Sequence, residues 1–219
     1  MKSNLTEIIF VIDKSGSMAH LVDDTVGGFN GFIKEQREVD GTAYLTTVLF
    51  SNNHEKLHNN IDIREVEELT KAQYKVGGGT AMLDAIGFTI EEVQNRIDNT
   101  PAENRPDNTL FVIITDGHEN SSCRYTKAQI QKMIEHQTKG HGWQFIFLGA
   151  NMDAVTEASS LGVANSATWD TNSLSTKAVY DSVTCAATSV RATGFVDDNW
   201  SSAVIDSTLC STADKISSN

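Results

Sequence analysis

Ile8-Ile9-Phe10-Val11-Ile12-Asp13-Lys14-Ser15-Gly16-Ser17-Met18 is the stretch that decides the fold. Its first half is an unbroken β-branched and aromatic run. An amphipathic strand would alternate apolar and polar residues, so this run reads as a strand covered on both faces, the pattern of a central parallel strand. It ends abruptly in a carboxylate followed by two serines around a glycine. Phe111-Val112-Ile113-Ile114 repeats the pattern and ends in Thr115-Asp116-Gly117, and Phe145-Ile146-Phe147-Leu148 repeats it once more.

Between the runs lie helical segments. Residues from about Ala19 to Arg37 place Leu21, Val22, Val26, Phe29, Phe32 and Ile33 near helical spacing, with Gly27, Gly28 and Gly31 weakening the pattern. Met82 to Ile97 carries a clear stripe, and Thr126 to Thr138, Asp153 to Leu161 and Ser173 to Val190 predict three more helices. Thr42 to Ser51 and Leu57 to Ile63 read as a strand pair, and Thr168-Trp169 as a small edge strand. The order predicts a doubly wound α/β domain: a mostly parallel sheet of about six strands, one antiparallel edge strand, and helices on both faces. We assign residues 1–195 to this domain. Residues 196–219 are rich in Ser, Asp and Thr and are expected to form a polar, loosely packed extension.

The chain has 219 residues and a formal net charge of −12, with 17 Lys and Arg against 29 Asp and Glu and no basic run. That balance disfavours phosphate backbones and anionic membranes. No apolar stretch approaches the roughly 20 residues of a membrane helix. Cys123, Cys185 and Cys210 are odd in number and form no Cys-x-x-Cys pair, so no disulfide framework is implied. The apolar run that ends at Asp13 is too short for a signal peptide, and the expected location is cytoplasmic.

Ligands in open α/β sheets bind beyond the carboxyl ends of the strands, where strand order reverses. Asp13, Ser15 and Ser17 follow one buried strand and Asp116 another. Thr80 follows the flexible Gly77-Gly78-Gly79. This is an oxygen-only donor set, suited to a hard cation such as Mg2+, with Mn2+ or Ca2+ as alternatives. As separate residues these five would be helix caps or turn formers, but independent caps need not coincide around one reversal.

Asp13-x-Ser15-x-Ser17, with Thr80 after a Gly-rich loop and Asp116-Gly117 after an apolar strand, resembles the metal-ion-dependent adhesion site of von Willebrand factor type A domains. The likeness spans roughly Thr6 to Leu161. It implies that Ser15 and Ser17 bind the ion directly, Thr80 directly or through water, and Asp13 and Asp116 often through water. Neutral hydroxyls would leave the ion electrophilic, ready for an Asp or Glu of a partner protein. Gly79, Gly117, His118 and Glu119 would rim the ion, although a solvated polar loop is the plainer reading of residues 118–120. The resemblance implies a non-enzymatic, metal-dependent protein-binding module, an adaptor or subunit of an intracellular assembly.

Other motifs are discounted. His54-Glu55-Lys56-Leu57-His58 matches the zinc-protease pattern, but it sits among four asparagines after a strand, a hairpin setting rather than a helix. Gly77-Gly78-Gly79-Thr80 lacks the lysine of a phosphate-binding loop. A magnesium-dependent phosphohydrolase with Asp13 as nucleophile is the rival reading, but the second aspartate it wants is Ser15 here. A scaffold with a purely structural metal is the third.

Overall fold

A computed structural model describes residues 5–150 and 153–207. Six strands form one sheet: β1 (Leu5–Asp13), β2 (Thr42–Phe50), β3 (His54–Asp62), β4 (Asn108–Thr115), β5 (Gln144–Ala150) and β6 (Asn165–Trp169). Their order is β3-β2-β1-β4-β5-β6, and only β3 is antiparallel to its neighbour. Strand order therefore reverses between β1 and β4, the two strands whose ends carry Asp13 and Asp116. The helices are α1 (Val22–Arg37), α2 (Met82–Asp98), α3 (Lys127–His141), α4 (Ala154–Leu161) and α5 (Ser173–Thr193).

Alternate residues of β1 feed two cores. Ile8, Phe10 and Ile12 pack with Phe29, Phe32, Val179 and Val183 from α1 and α5, whereas Ile9 and Val11 pack with Met82, Ile86, Ile130 and Phe147 on the opposite face. Fully burying a side chain of this size contributes about 1.5–3 kcal/mol, so a strand buried on both faces anchors the sheet twice. Local signals set the helix ends. Thr126 and Gln129 form a reciprocal capping box on α3, and Asp153 and Asn172 cap α4 and α5 through the Thr156 and Ser175 N–H groups.

Three details differ from the sequence reading. The segment after Ser15 first makes a 3-10 helix, Gly16–Leu21, and the α-helical part starts only at Val22. The second hairpin strand begins at His54 rather than Leu57. The expectation of a loose extension beyond 195 is corrected for the part described: a helical turn at 202–207 brings Val204 into the core on the α1–α5 side, and Trp200 packs there as well. Two apolar residues without a repeat give no periodic signal, yet they suffice to dock a short segment. Residues 208–219, with Cys210, lie outside the described residues.

The glycines of α1 have distinct roles. A β-carbon at Gly28 would lie 2.2 Å from the ring of Tyr180 on α5, whereas one at Gly27 or Gly31 would meet nothing within 4 Å. Gly28→Ala is therefore expected to cost about 1–3 kcal/mol by overpacking. Gly27→Ala and Gly31→Ala should gain up to about 1 kcal/mol from helix propensity. Urea unfolding of the three variants checks both signs.

The zinc-protease pattern lies on β3, and a register shift opposite Thr47 and Val48 turns its histidines apart. His58 stacks on Phe29 of α1 at 6.0 Å, while His54 stacks on Phe88 of α2 at 4.7 Å. They point to opposite faces of the sheet and cannot share a metal. Burial lowers the pKa of His58, against a weaker opposing effect of Glu67. The fold thus favours neutral imidazole. That stability is complete above the ordinary value of 6.5 and is lost as pH falls through the lower folded value. Urea midpoints of the wild type should drop between pH 8 and pH 5 more steeply than those of His58→Gln.

Candidate metal centre

The carboxyl ends of β1 and β4 carry the site. Asp13, the last residue of β1, is fully buried. Its Oδ1 accepts the Ser15 N–H at 2.6 Å and its Oδ2 accepts the Thr115 hydroxyl at 2.6 Å. The Asp13 carboxyl is raised to about 6: burial pushes it up, the hydrogen bonds from Thr115 and Ser15 offset part of that, and the charge of Asp116 adds to the rise. A buried anion of this kind needs a cation or a proton.

The turn after β1 brings the hydroxyls forward. Ser15 Oγ lies 3.0 Å from Ser17 Oγ, and Ser17 donates to Asp116 Oδ1 at 2.5 Å. A β-carbon added at Gly117 would sit 3.4 Å from Thr80 Oγ1 and 3.7 Å from Ser17 Oγ, so these two hydroxyls face one small space that glycine leaves open. All five residues singled out in the sequence therefore converge. Asp13, Ser15 and Thr80 form the buried floor, and Ser17 faces solvent.

This donor set fits a hard divalent cation. Neighbouring ligands on an octahedral ion with metal–oxygen bonds of about 2.1 Å are separated by about 3 Å, and the two serine hydroxyls have that spacing. Among the described residues no group of three or more His, Cys, Asp or Glu side chains is placed to hold a metal, so the donors here are two carboxylates with three hydroxyls.

The glycine loop is tied to the β1 turn from both sides. Gly77 N–H donates to the Lys14 carbonyl at 2.8 Å, and Gly16 N–H donates to the Gly78 carbonyl at 3.1 Å. Gly78 has φ +84, and a β-carbon there would meet the Asn52 side chain at 2.9 Å, so both backbone and space demand glycine. Asn52 Oδ1 accepts the Gly79 N–H at 2.6 Å, and Asn120 Oδ1 accepts the Thr80 N–H at 2.9 Å.

Several supporting residues escaped the sequence reading. Thr115 and Asn52 hold ligands or their loop, and the buried Tyr74 hydroxyl donates to the Asp13 carbonyl. Asp84 accepts the backbone N–H groups of Cys123, Arg124 and Tyr125. Burial pushes its carboxyl up, but these three donors outweigh burial and hold it below the usual range. Only the run of asparagines at 52–53 stood out in sequence, and it was read as turn chemistry.

Of the rim residues, Gly117 lies beside the Thr80 and Ser17 hydroxyls, Gly79 lies against Ser121, Asn120 and Asn52, and His118 is exposed. The reading of Glu119 as rim is corrected. Its Oε1 accepts the Ser121 and Ser122 N–H groups, and its Oε2 accepts the Leu83 N–H and the Ser122 hydroxyl. Oε2 is committed to the start of α2, which lacks a side-chain cap of its own, and Oε1 to the loop that follows Glu119.

Fold and site together define a doubly wound α/β domain with a cluster of oxygen donors at its topological switch point. The profile of the von Willebrand factor type A domain matches residues 7–178, and the chain belongs to that family. A search of curated proteins gives no match. Among solved structures, a von Willebrand factor type A protein from Catenulispora acidiphila is 14% identical, with a TM-score of 0.56 over 84% of this chain and 42% of its own. Proximal thread matrix protein 1 from the mussel byssus, with a zinc-occupied MIDAS motif, is 14% identical, with a TM-score of 0.56 over 82% and 44%. Manganese-loaded TRAP protein from Plasmodium vivax is 16% identical, with a TM-score of 0.55 over 78% and 70%. The chain spans less than half the length of the first two. At these identities the likeness is one of fold.

Proposed function

We propose that this chain is a divalent-cation-dependent protein-binding module in which an Asp or Glu of a partner protein completes the coordination of an ion, in the first instance magnesium. The observation that carries the reading is the layering of the site. The charged Asp13 is buried with one hydrogen bond to each of its oxygens, while neutral serine hydroxyls stand between it and solvent. When bound, the ion supplies a positive charge only partly cancelled by the protein, and a partner carboxylate is the natural complement. Ser15 and Ser17 hold the ion at the surface, Asp13 and Asp116 balance its charge, and Thr80 closes the set from the glycine loop.

We further infer a non-enzymatic adaptor or assembly subunit working in the cytoplasm, without nucleic-acid or membrane contact. The acidic composition disfavours nucleic acid and anionic membrane surfaces, and among the described residues no helix is long and apolar enough to cross a membrane. The phosphohydrolase reading finds less support. It requires Asp13 as nucleophile, but that carboxylate is buried beneath the turn with both oxygens engaged.

The test uses a panel of short acidic peptides, each paired with a control carrying asparagine in place of aspartate. Binding in magnesium that vanishes in EDTA, in the asparagine controls and in Asp13→Asn supports the module. Turnover of a phosphate ester abolished by Asp13→Asn would replace it with the hydrolase, and partner capture indifferent to EDTA would point to a structural ion.

A further inference from the structure

The opposite end of β1 carries a second buried carboxylate that the metal centre does not use. Glu7 is only 1% exposed and lies at the floor of a cavity of about 360 Å³ between the sheet and the C-terminal half of α2. Six residues of strand, about 20 Å, separate it from Asp13. Its Oε1 takes both hydrogen bonds that reach the group, from Arg96 and from the Thr46 hydroxyl at 3.1 Å. Its Oε2 is buried and accepts none among the described residues. A carboxylate has roughly four acceptor positions, so half of its capacity is unmet where an unmet acceptor is most costly. Burial pushes the Glu7 carboxyl up, and Arg96 and Thr46 only partly offset it.

The lining around Glu7 is acidic and polar. Among the described residues Arg96 is its only cation, against Glu7 and Glu103, and Tyr44, Asn60 and Thr100 supply a ring, an amide and a hydroxyl. The Arg96 side chain, 26% exposed, forms a wall between Glu7 and solvent. A small rotation of the Glu7 carboxylate would present its second oxygen to a donor entering beside Arg96.

We propose that this cavity binds a small hydrogen-bond-donating cation, an ammonium or guanidinium group, with the buried Glu7 carboxylate as its counter-ion and the Tyr44 ring as its wall. The cation supplies both missing elements at once, a second positive charge and N–H donors for Oε2, and an aromatic wall favours it further. The site is independent of the metal reading. Its occupant is either a free amine or guanidine, or the Arg or Lys side chain of a partner chain.

The test is a titration of 15N-labelled protein, in EDTA and then in magnesium, with methylguanidinium, with tetramethylammonium as a cation that cannot donate. A saturable response in the backbone amides of residues 5–7, 42–44 and 96–104, with an affinity on the order of millimolar, is expected for methylguanidinium alone. Glu7→Gln should abolish it, and Asp13→Asn should leave it unchanged. Should Glu7→Gln fail to fold, Glu103→Lys at the exposed rim should weaken binding by about fivefold or more. An acetylated Gly-Arg-Gly amide then separates the sources: tighter binding than methylguanidinium marks a partner side chain, and weaker or absent binding marks a free cation. No saturable shift, or equal shifts with tetramethylammonium, overturns the proposal.

Discussion

Asp13→Asn is expected to lower magnesium affinity by about 100-fold or more while leaving the metal-free protein at least as stable as the wild type at pH 7.5. The two halves come from the same burial. Asparagine matches the shape of aspartate, and its carbonyl oxygen can still accept the Ser15 N–H. Thr115, which also contacts the Gly117 carbonyl at 3.1 Å, can turn its hydroxyl there. What disappears is an ionised group held out of water, which costs the fold free energy until a cation arrives. A thermal scan with and without magnesium checks both parts. The wild type should rise with added ion as binding is linked to folding, whereas the variant should start equal or higher and not move. A variant that unfolds without metal would show that the carboxylate serves the fold and not the ion.

Arg191→Ala should be strongly damaging away from the site, destabilising the domain by about 3 kcal/mol. Arg191 on α5 is almost wholly buried and reaches across to the end of α1. Its Nη1 donates to the Gln36 carbonyl at 2.6 Å and to Gln36 Oε1 at 3.0 Å; its Nη2 donates to the carbonyls of Val39 at 2.7 Å and of Asp40 and Gly41 at 3.2 Å. These acceptors line the turn from α1 into β2, so one guanidinium serves a helix end, a turn and a strand entry together. Truncation removes all five donated bonds at once and leaves the buried Gln36 side-chain oxygen without its donor. Arg191→Lys should recover less than half of the loss, since one ammonium cannot span the same fork of acceptors. Urea unfolding reads both variants, and a loss below about 1 kcal/mol would mean that water replaces the guanidinium at little cost.

The strands and most helices were legible because their causes are local. An unbroken apolar run such as Ile8–Ile12 or Phe111–Ile114 fits only a strand covered twice, and the stripe in Met82–Ile97 fits one helical face. The five candidate ligands were legible for a related reason. Each follows directly from the end of a buried strand or from a glycine loop, so its place in the chain predicts its place on the sheet edge. The structure brings those five side chains together at the ends of β1 and β4.

Periodicity says that a face is buried but not by what. Nothing local pairs Arg191 with Gln36, Thr115 with Asp13 or Asn120 with Thr80, because those partners are separated by 155, 102 and 40 residues. Nor did it reveal that Glu119 is bound to α2, that Trp200 and Val204 seat the segment after α5, or that Glu7 waits beneath a cavity. Those facts belong to the tertiary structure, since hydrogen bonds and packing contacts acquire their partners only when the sheet order brings distant strand ends together. The sequence by itself determined most of the elements, the layered α/β architecture and the candidate oxygen donors, each dictated by neighbouring residues. Which of its polar groups would be satisfied, and by whom, was decided only by the fold.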